Sequence, residues 1–200
     1  MSVHKNKEER VFNIEFRADQ AGENSRRVIG YAAKFNTRSE DMGFYEVIAP
    51  GAFDDVMNDD VRCLIDHKPT LILARTASGT LKIDQDAVGL RYEFDVPDTT
   101  YGNDFLVSLT RGDINQSSFA FSVKEDRWES VKDGDKTIWT RTVTKVERLF
   151  DVSPVTYPAY PDTTVSKRNM PIDEQKQEPY NDINDRQREA YVRALAVNFQ

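Results

Sequence analysis

Through much of this chain apolar and polar positions alternate with the period of two that an extended strand requires. Residues 11–16 and 27–35 predict two strands joined by a Gly- and Asn-containing turn, and so a hairpin. A third extended piece, residues 44–48, stops at Ala49-Pro50-Gly51. After it, residues 52–57 have the spacing of a short helix with Phe53, Val56 and Met57 facing inward, an insert suited to cover one end of a barrel. Residues 61–65 predict a strand that ends at Asp66-His67. Residues 79–84 and 89–96 alternate as a further pair.

The period changes once inside this β-rich region. Residues 103–111 carry Phe105, Leu106 and Leu109 as an apolar stripe, with Thr99 or Thr100 available as the N-cap and Gly112 just beyond the last turn. Residues 114–124 and 137–150 return to strand character around the polar turn Lys132-Asp133-Gly134-Asp135. The expected organisation is a flexible charged leader over residues 1–10 and an organised domain over 11–161. A polar linker holding Pro171 and Pro179 covers 162–184, and a terminal helix with Tyr191, Ala194 and Leu195 at helical spacing covers 185–200. No capping glycine follows that helix, which reads either as a frayed end or as a natural chain that continues.

Composition narrows the function. With 200 residues, 38% of them hydrophobic, the chain can bury one sizeable core. A formal charge of -7 argues against a main role in neutralising nucleic-acid phosphates. Cys63 is the single cysteine, so no internal disulfide and no thiolate zinc cluster can form, which fits a reducing compartment. The leader lacks an apolar signal core and no run reaches a membrane-spanning length, so a soluble, cytoplasmic protein is expected.

Chemistry gathers on three residues. His4 and His67 are the two histidines, and His4 lies in the leader with nothing to hold it, so His67 is the candidate general base. In an extended segment 114–123, Gln116, Ser118, Ala120 and Ser122 share one face, and Ser117, Phe119, Phe121 and Val123 share the other. The phenylalanine face belongs to the core. Ser118 then projects among small side chains that leave room for a substrate, which makes it the candidate nucleophile with Ser117 as the fallback. Asp151 is the first choice for the acid that orients His67; Asp66 competes, but strand neighbours point to opposite faces. Base, nucleophile and acid together point to a serine hydrolase. No Gly-rich phosphate loop is present, and two histidines with one cysteine do not make a histidine-rich zinc site.

Ordered landmarks between Arg27 and Asp162 carry a family resemblance. They are Gly30-Tyr31-Ala32-Ala33-Lys34-Phe35-Asn36, Glu46-Val47-Ile48-Ala49-Pro50-Gly51-Ala52-Phe53, Leu64-Ile65-Asp66-His67, Ala74-Arg75-Thr76-Ala77-Ser78-Gly79-Thr80-Leu81, Ser118-Phe119-Ala120-Phe121, and Asp151-Val152-Ser153-Pro154-Val155-Thr156-Tyr157-Pro158-Ala159. In these the chain resembles the prohead serine proteases of HK97-like tailed phages. The resemblance implies a mainly β fold with helices (α+β): a compact, mostly antiparallel β-barrel surrounded by a few helices, similar to the herpesvirus assembly proteases. It carries the family histidine to His67, the serine to Ser118 and the acid before Val-Ser to Asp151. Family members often have Gly where this chain has Ala120, and Glu where it has the shorter Asp151.

By the same resemblance the expected activity is a serine endopeptidase that cleaves the scaffold region of the major capsid protein, and itself, inside the assembling procapsid in the host cytoplasm. It needs no cofactor. The expected partners are the major capsid protein and its scaffold region, with self-association but no direct nucleic-acid role and no membrane. Two other readings stand beside it: an inactive β-barrel module that binds capsid or scaffold, and a small-ester hydrolase using the same three residues.

Overall fold

A computed structural model describes residues 7–12, 17–18 and 26–157. The expected linker and terminal helix, and the first six residues of the leader, lie outside the described residues. Ten strands are described: β1 (Glu8–Phe12), β2 (Arg17–Ala18), β3 (Arg27–Lys34), β4 (Tyr45–Ile48), β5 (Arg62–Leu64), β6 (Ile72–Arg75), β7 (Leu81–Gln85), β8 (Gly89–Asp95), β9 (Gln116–Asp133) and β10 (Lys136–Val155). One α-helix, α1 (Thr100–Arg111), and a 3-10 turn at Asp54–Val56 accompany them.

The strands form two sheets. In the larger, the order is β1-β9-β10-β5-β6, and β4 also pairs with β10; in the smaller it is β2-β3-β8-β7. Pairing is antiparallel except where β4 and β5 run parallel to β10. Mainly β structure with one helix therefore agrees with the expected class, but among the described residues neither sheet closes into a barrel. The two layers share a core in place of one continuous ladder. Val28, Tyr92 and Phe94 of the smaller sheet join Phe119, Phe121, Leu149 and Val152 of the larger in that core. Phe53 stands edge-on to Phe119 with ring centroids 5.6 Å apart. A hydrogen bond of 2.9 Å between Tyr92 Oη and Ser117 Oγ links the two sheets.

Local chemistry accounts for the helices. Thr99 accepts the Gly102 amide at 3.1 Å, and Gly112 closes α1 with a left-handed φ of 81°. Phe105 and Leu109 are buried, as the apolar stripe predicts. The expected helix over 52–57 is a single 3-10 turn, because its bonds run from Asp54 N to Gly51 O and from Val56 N to Phe53 O, three residues apart. Phe53 and Val56 nonetheless enter the core.

Two expectations near the start of the chain are corrected. Of residues 11–16, expected to form a hairpin with 27–35, Val11 and Phe12 are described, and they belong to β1, which joins β9 with Glu8 opposite Phe121 and Phe12 opposite Ser117; the short β2 is the strand that joins β3. The supposed leader is also structured from Glu8 onward, three residues before the expected domain boundary at Val11. Both follow from ionic pairing. Glu8 and Arg10 are buried in a cluster with Glu46 of β4 and Arg141 of β10, which draws β1 to the larger sheet. Strand β6 had no alternation to announce it, and β9 and β10 extend beyond the expected strands to a turn where Gly134 takes φ 61°.

Candidate active site

Strand register places the first two site residues. Ser118 in β9 lies opposite Ser153 in β10, and Asp151 lies opposite Ala120. Residues directly opposite in an antiparallel pair share a face. Ser118, Ala120, Asp151 and Ser153 thus occupy one face, and Phe119, Phe121, Leu149 and Val152 occupy the core face. Asp151 reaches its face through a β-bulge: Leu149 pairs with Phe121 and Asp151 with Ala120, leaving Phe150 as an extra residue. Strict alternation would have set Asp151 on the same side as Leu149.

His67 comes from the turn after β5. Asp66 and His67 both have left-handed backbone, with φ 50° and 54°. For residues other than glycine such a conformation costs about 1–3 kcal/mol each and persists where surrounding bonds impose it. Those bonds are present. The Asp66 amide donates to Pro154 O at 3.0 Å, and the Asp66 carboxylate accepts from Thr156 N at 2.8 Å and from Thr156 Oγ1 at 3.1 Å. Asp66 is therefore committed to Thr156, and its carboxylate pins the turn that presents the imidazole.

The turn delivers His67 between the other two residues. Its Nδ1 lies 2.5 Å from Asp151 Oδ1 and its Nε2 lies 2.6 Å from Ser118 Oγ. With Nδ1–H donated to the carboxylate, Nε2 is left as the acceptor for the serine proton. A second acceptor lies close by, since Ser118 Oγ is 2.9 Å from the Arg10 carbonyl of β1. Ser118 is fully buried and the His67 side chain is 14% exposed, so the roomy face expected beside Ala120 is closed in this structure. The imidazole and β1 close off Ser118. Ser117, the fallback, is engaged with Tyr92.

The electrostatics favour an ionised acid. Burial pushes the Asp151 carboxyl up, but the hydrogen bond and charge of His67, with Lys7 at 3.3 Å from Oδ2 and a hydrogen bond from Ser153, hold it below the ordinary value. Cys63, the other nucleophilic side chain nearby, is pushed well above the ordinary thiol value, first by burial and then by the Asp151 charge. It stays protonated and unreactive at neutral pH. Lys7 and Ser153 went unnoticed in the sequence. Ser153 had a legible signal, two residues from Asp151 on the same strand face; Lys7 had none. Among the described residues no cluster of three or more His, Cys, Asp or Glu is arranged to hold a metal, and no helix is long and apolar enough to cross a membrane.

A hydrogen-bonded Ser-His-Asp relay on β-structure has the form of a serine peptidase site. The family model for caudovirus prohead serine proteases matches residues 12–178. The chain belongs to that family. The match contains His67, Ser118 and Asp151 and runs beyond the expected domain end at Pro161. Comparison with curated proteins and with solved structures gave no match. Membership brings with it a serine peptidase class and a setting inside the phage procapsid, where such proteases act during capsid maturation.

Proposed function

We propose that this chain is the endopeptidase that removes the scaffold region of a phage major capsid protein during procapsid maturation, and that it also cleaves itself. The observation that carries the reading is the relay of two short hydrogen bonds, Ser118 Oγ to His67 Nε2 at 2.6 Å and His67 Nδ1 to Asp151 Oδ1 at 2.5 Å. Ser118 Oγ attacks the scissile carbonyl carbon while its proton passes to His67 Nε2. The C–N bond then breaks, the leaving amine takes that proton, and an acyl-enzyme remains on Ser118. Water, deprotonated by His67, attacks the ester carbonyl, the acyl C–Oγ bond breaks, and His67 returns the proton to Ser118 Oγ as the new carboxylate leaves. Asp151 keeps the imidazole in the acceptor tautomer and stabilises the imidazolium formed in each step.

Because Ser118 is closed off, a substrate strand must displace what covers it, and self-association within the procapsid supplies the local concentration for that exchange. The test is mass spectrometry of the major capsid protein after co-expression with the wild-type chain or with Ser118→Ala. A discrete N-terminal truncation with the wild type that falls on the order of 10⁴-fold or more with the variant supports the reading. Equal truncation by both removes Ser118 as the nucleophile. No truncation in assembled capsids removes the protease reading itself and favours a binding module.

A further inference from the structure

Directly across from Ser118 on the neighbouring strand, Ser153 is fully buried, and its hydroxyl donates to Asp151 Oδ1 at 2.8 Å. That oxygen is the one that faces His67 Nδ1. We infer that Ser153 is a positioning residue of the proteolytic site: its hydroxyl holds the Asp151 carboxylate in the orientation that His67 requires. The inference rests on the catalytic reading above and deepens it.

Three features carry it. The terminal torsion of an aspartate is broad and does not select a carboxylate plane. Here the plane is set by donors on both oxygens: His67 Nδ1 and Ser153 Oγ on Oδ1, and Lys7 Nζ at 3.3 Å from Oδ2. Secondly, the fold has no use for a hydroxyl at this depth. A buried hydroxyl is unfavourable unless bonded, and an apolar residue would continue the strand without that need. The bond it makes is to the carboxylate that faces His67. Thirdly, the bulge at Phe150 turns Asp151 onto the Ser118 face, and normal alternation from there sets Ser153 on the same face two residues later. The bulge therefore delivers the carboxylate and the hydroxyl that holds it together.

Removal of the hydroxyl has two consequences. The carboxylate gains freedom to swing from the imidazole, which slows proton transfer from Ser118. Its charge also loses a donor, so the Asp151 carboxyl is held less far below its ordinary value and takes up a proton at higher pH than in the wild type. A serine that merely fills space would produce neither effect.

The test is the rate at which a fluorophosphonate labels the purified full-length chain, followed by intact mass and peptide mapping from pH 5 to pH 9. The wild type labels at Ser118, and Asp151→Ala labels more slowly. Ser153→Ala is expected to label about 10- to 100-fold more slowly, the range of a hydrogen bond to a charged group, with the acid limb of its profile moved to higher pH. Ser153→Thr, which keeps the hydroxyl, is expected to remain within a few-fold of the wild type. In an Asp151→Ala background Ser153→Ala is expected to have no further effect. A Ser153→Ala variant with wild-type rate and profile overturns the inference, as does equal slowing with and without Asp151. If Ser153→Thr does not fold, as judged by thermal melting, the Asp151 background decides alone. A wild type that is not labelled at Ser118, or an Asp151→Ala variant as fast as the wild type, overturns the catalytic reading and this inference with it.

Discussion

Glu46→Ala removes the acid that links β4 to the strand beside the nucleophile. Glu46 is 1% exposed and accepts from Arg10 Nε at 2.6 Å, Arg10 Nη2 at 3.0 Å and Arg141 Nη1 at 3.2 Å. Glu8 also pairs with Arg10 and with Arg141, the latter at 2.7 Å. At the margin Asp126 takes Arg141 Nε at 2.6 Å. Burial works against the charge on Arg10, yet Glu46 and Glu8 hold its guanidinium above the ordinary value. A guanidinium cannot escape by losing its proton. Without Glu46 the two arginines share Glu8, with Asp126 on Arg141 at the margin, and the buried Arg10 guanidinium loses both of its bonds to Glu46 out of reach of water.

Breaking a buried pair from one side costs about 3–5 kcal/mol, a large part of the roughly 5–15 kcal/mol that holds a domain folded. At a urea dependence of about 2 kcal/mol/M, the unfolding midpoint should fall by on the order of 2 M. Trp128 reports the change, since its ring lies 4.9 Å from Phe44 and 5.8 Å from the Arg141 guanidinium. Tryptophan fluorescence in urea is therefore the assay, with amide exchange of β1 as a second readout. β1 is fastened to the cluster by Glu8 and Arg10 and should lose protection before β9 does. A midpoint shift below about 0.5 M would refute the reasoning, because it is the size expected of a solvated surface pair.

Two further substitutions test other parts of the fold. A Cβ on Gly89 would lie 1.9 Å from the Ala33 carbonyl oxygen, so Gly89→Ala must push β8 from β3 and should destabilise by about 2–3 kcal/mol; an unchanged thermal midpoint would contradict that close approach. Hydrogen bonds from Arg27 and Arg91 hold the Glu93 carboxyl down at about 2, against an opposing push from burial. A depressed carboxylate contributes stability that is complete above its unfolded value of 4.5 and is lost as the pH falls toward 2. Urea midpoints at pH 5 and pH 3 should therefore differ less for Glu93→Gln than for the wild type, and an identical difference would rule out the contribution of Glu93.

Local pattern was enough for much of this protein. Alternation along residues 116–123 separated Ser118 from Phe119 and Phe121, and the structure keeps them on opposite faces. The scarcity of histidine left His67 as the base to examine. Thr99, Phe105, Leu109 and Gly112 defined α1 and both its ends, because caps and apolar stripes act within a few residues of one another.

What the sequence did not decide depends on partners distant along the chain. β1 leaves its expected neighbour because Glu8 and Arg10 find Glu46 and Arg141, 36 or more residues away. The turn at Asp66 and His67 takes left-handed backbone because Pro154 and Thr156 bind it from β10 and just beyond. Asp151 changes face at a bulge, and one extra residue in a strand reverses every period-two inference that follows it. The residue types of the site were thus written locally, whereas its geometry was set by strand pairing, since a bulge is defined only against the strand it faces.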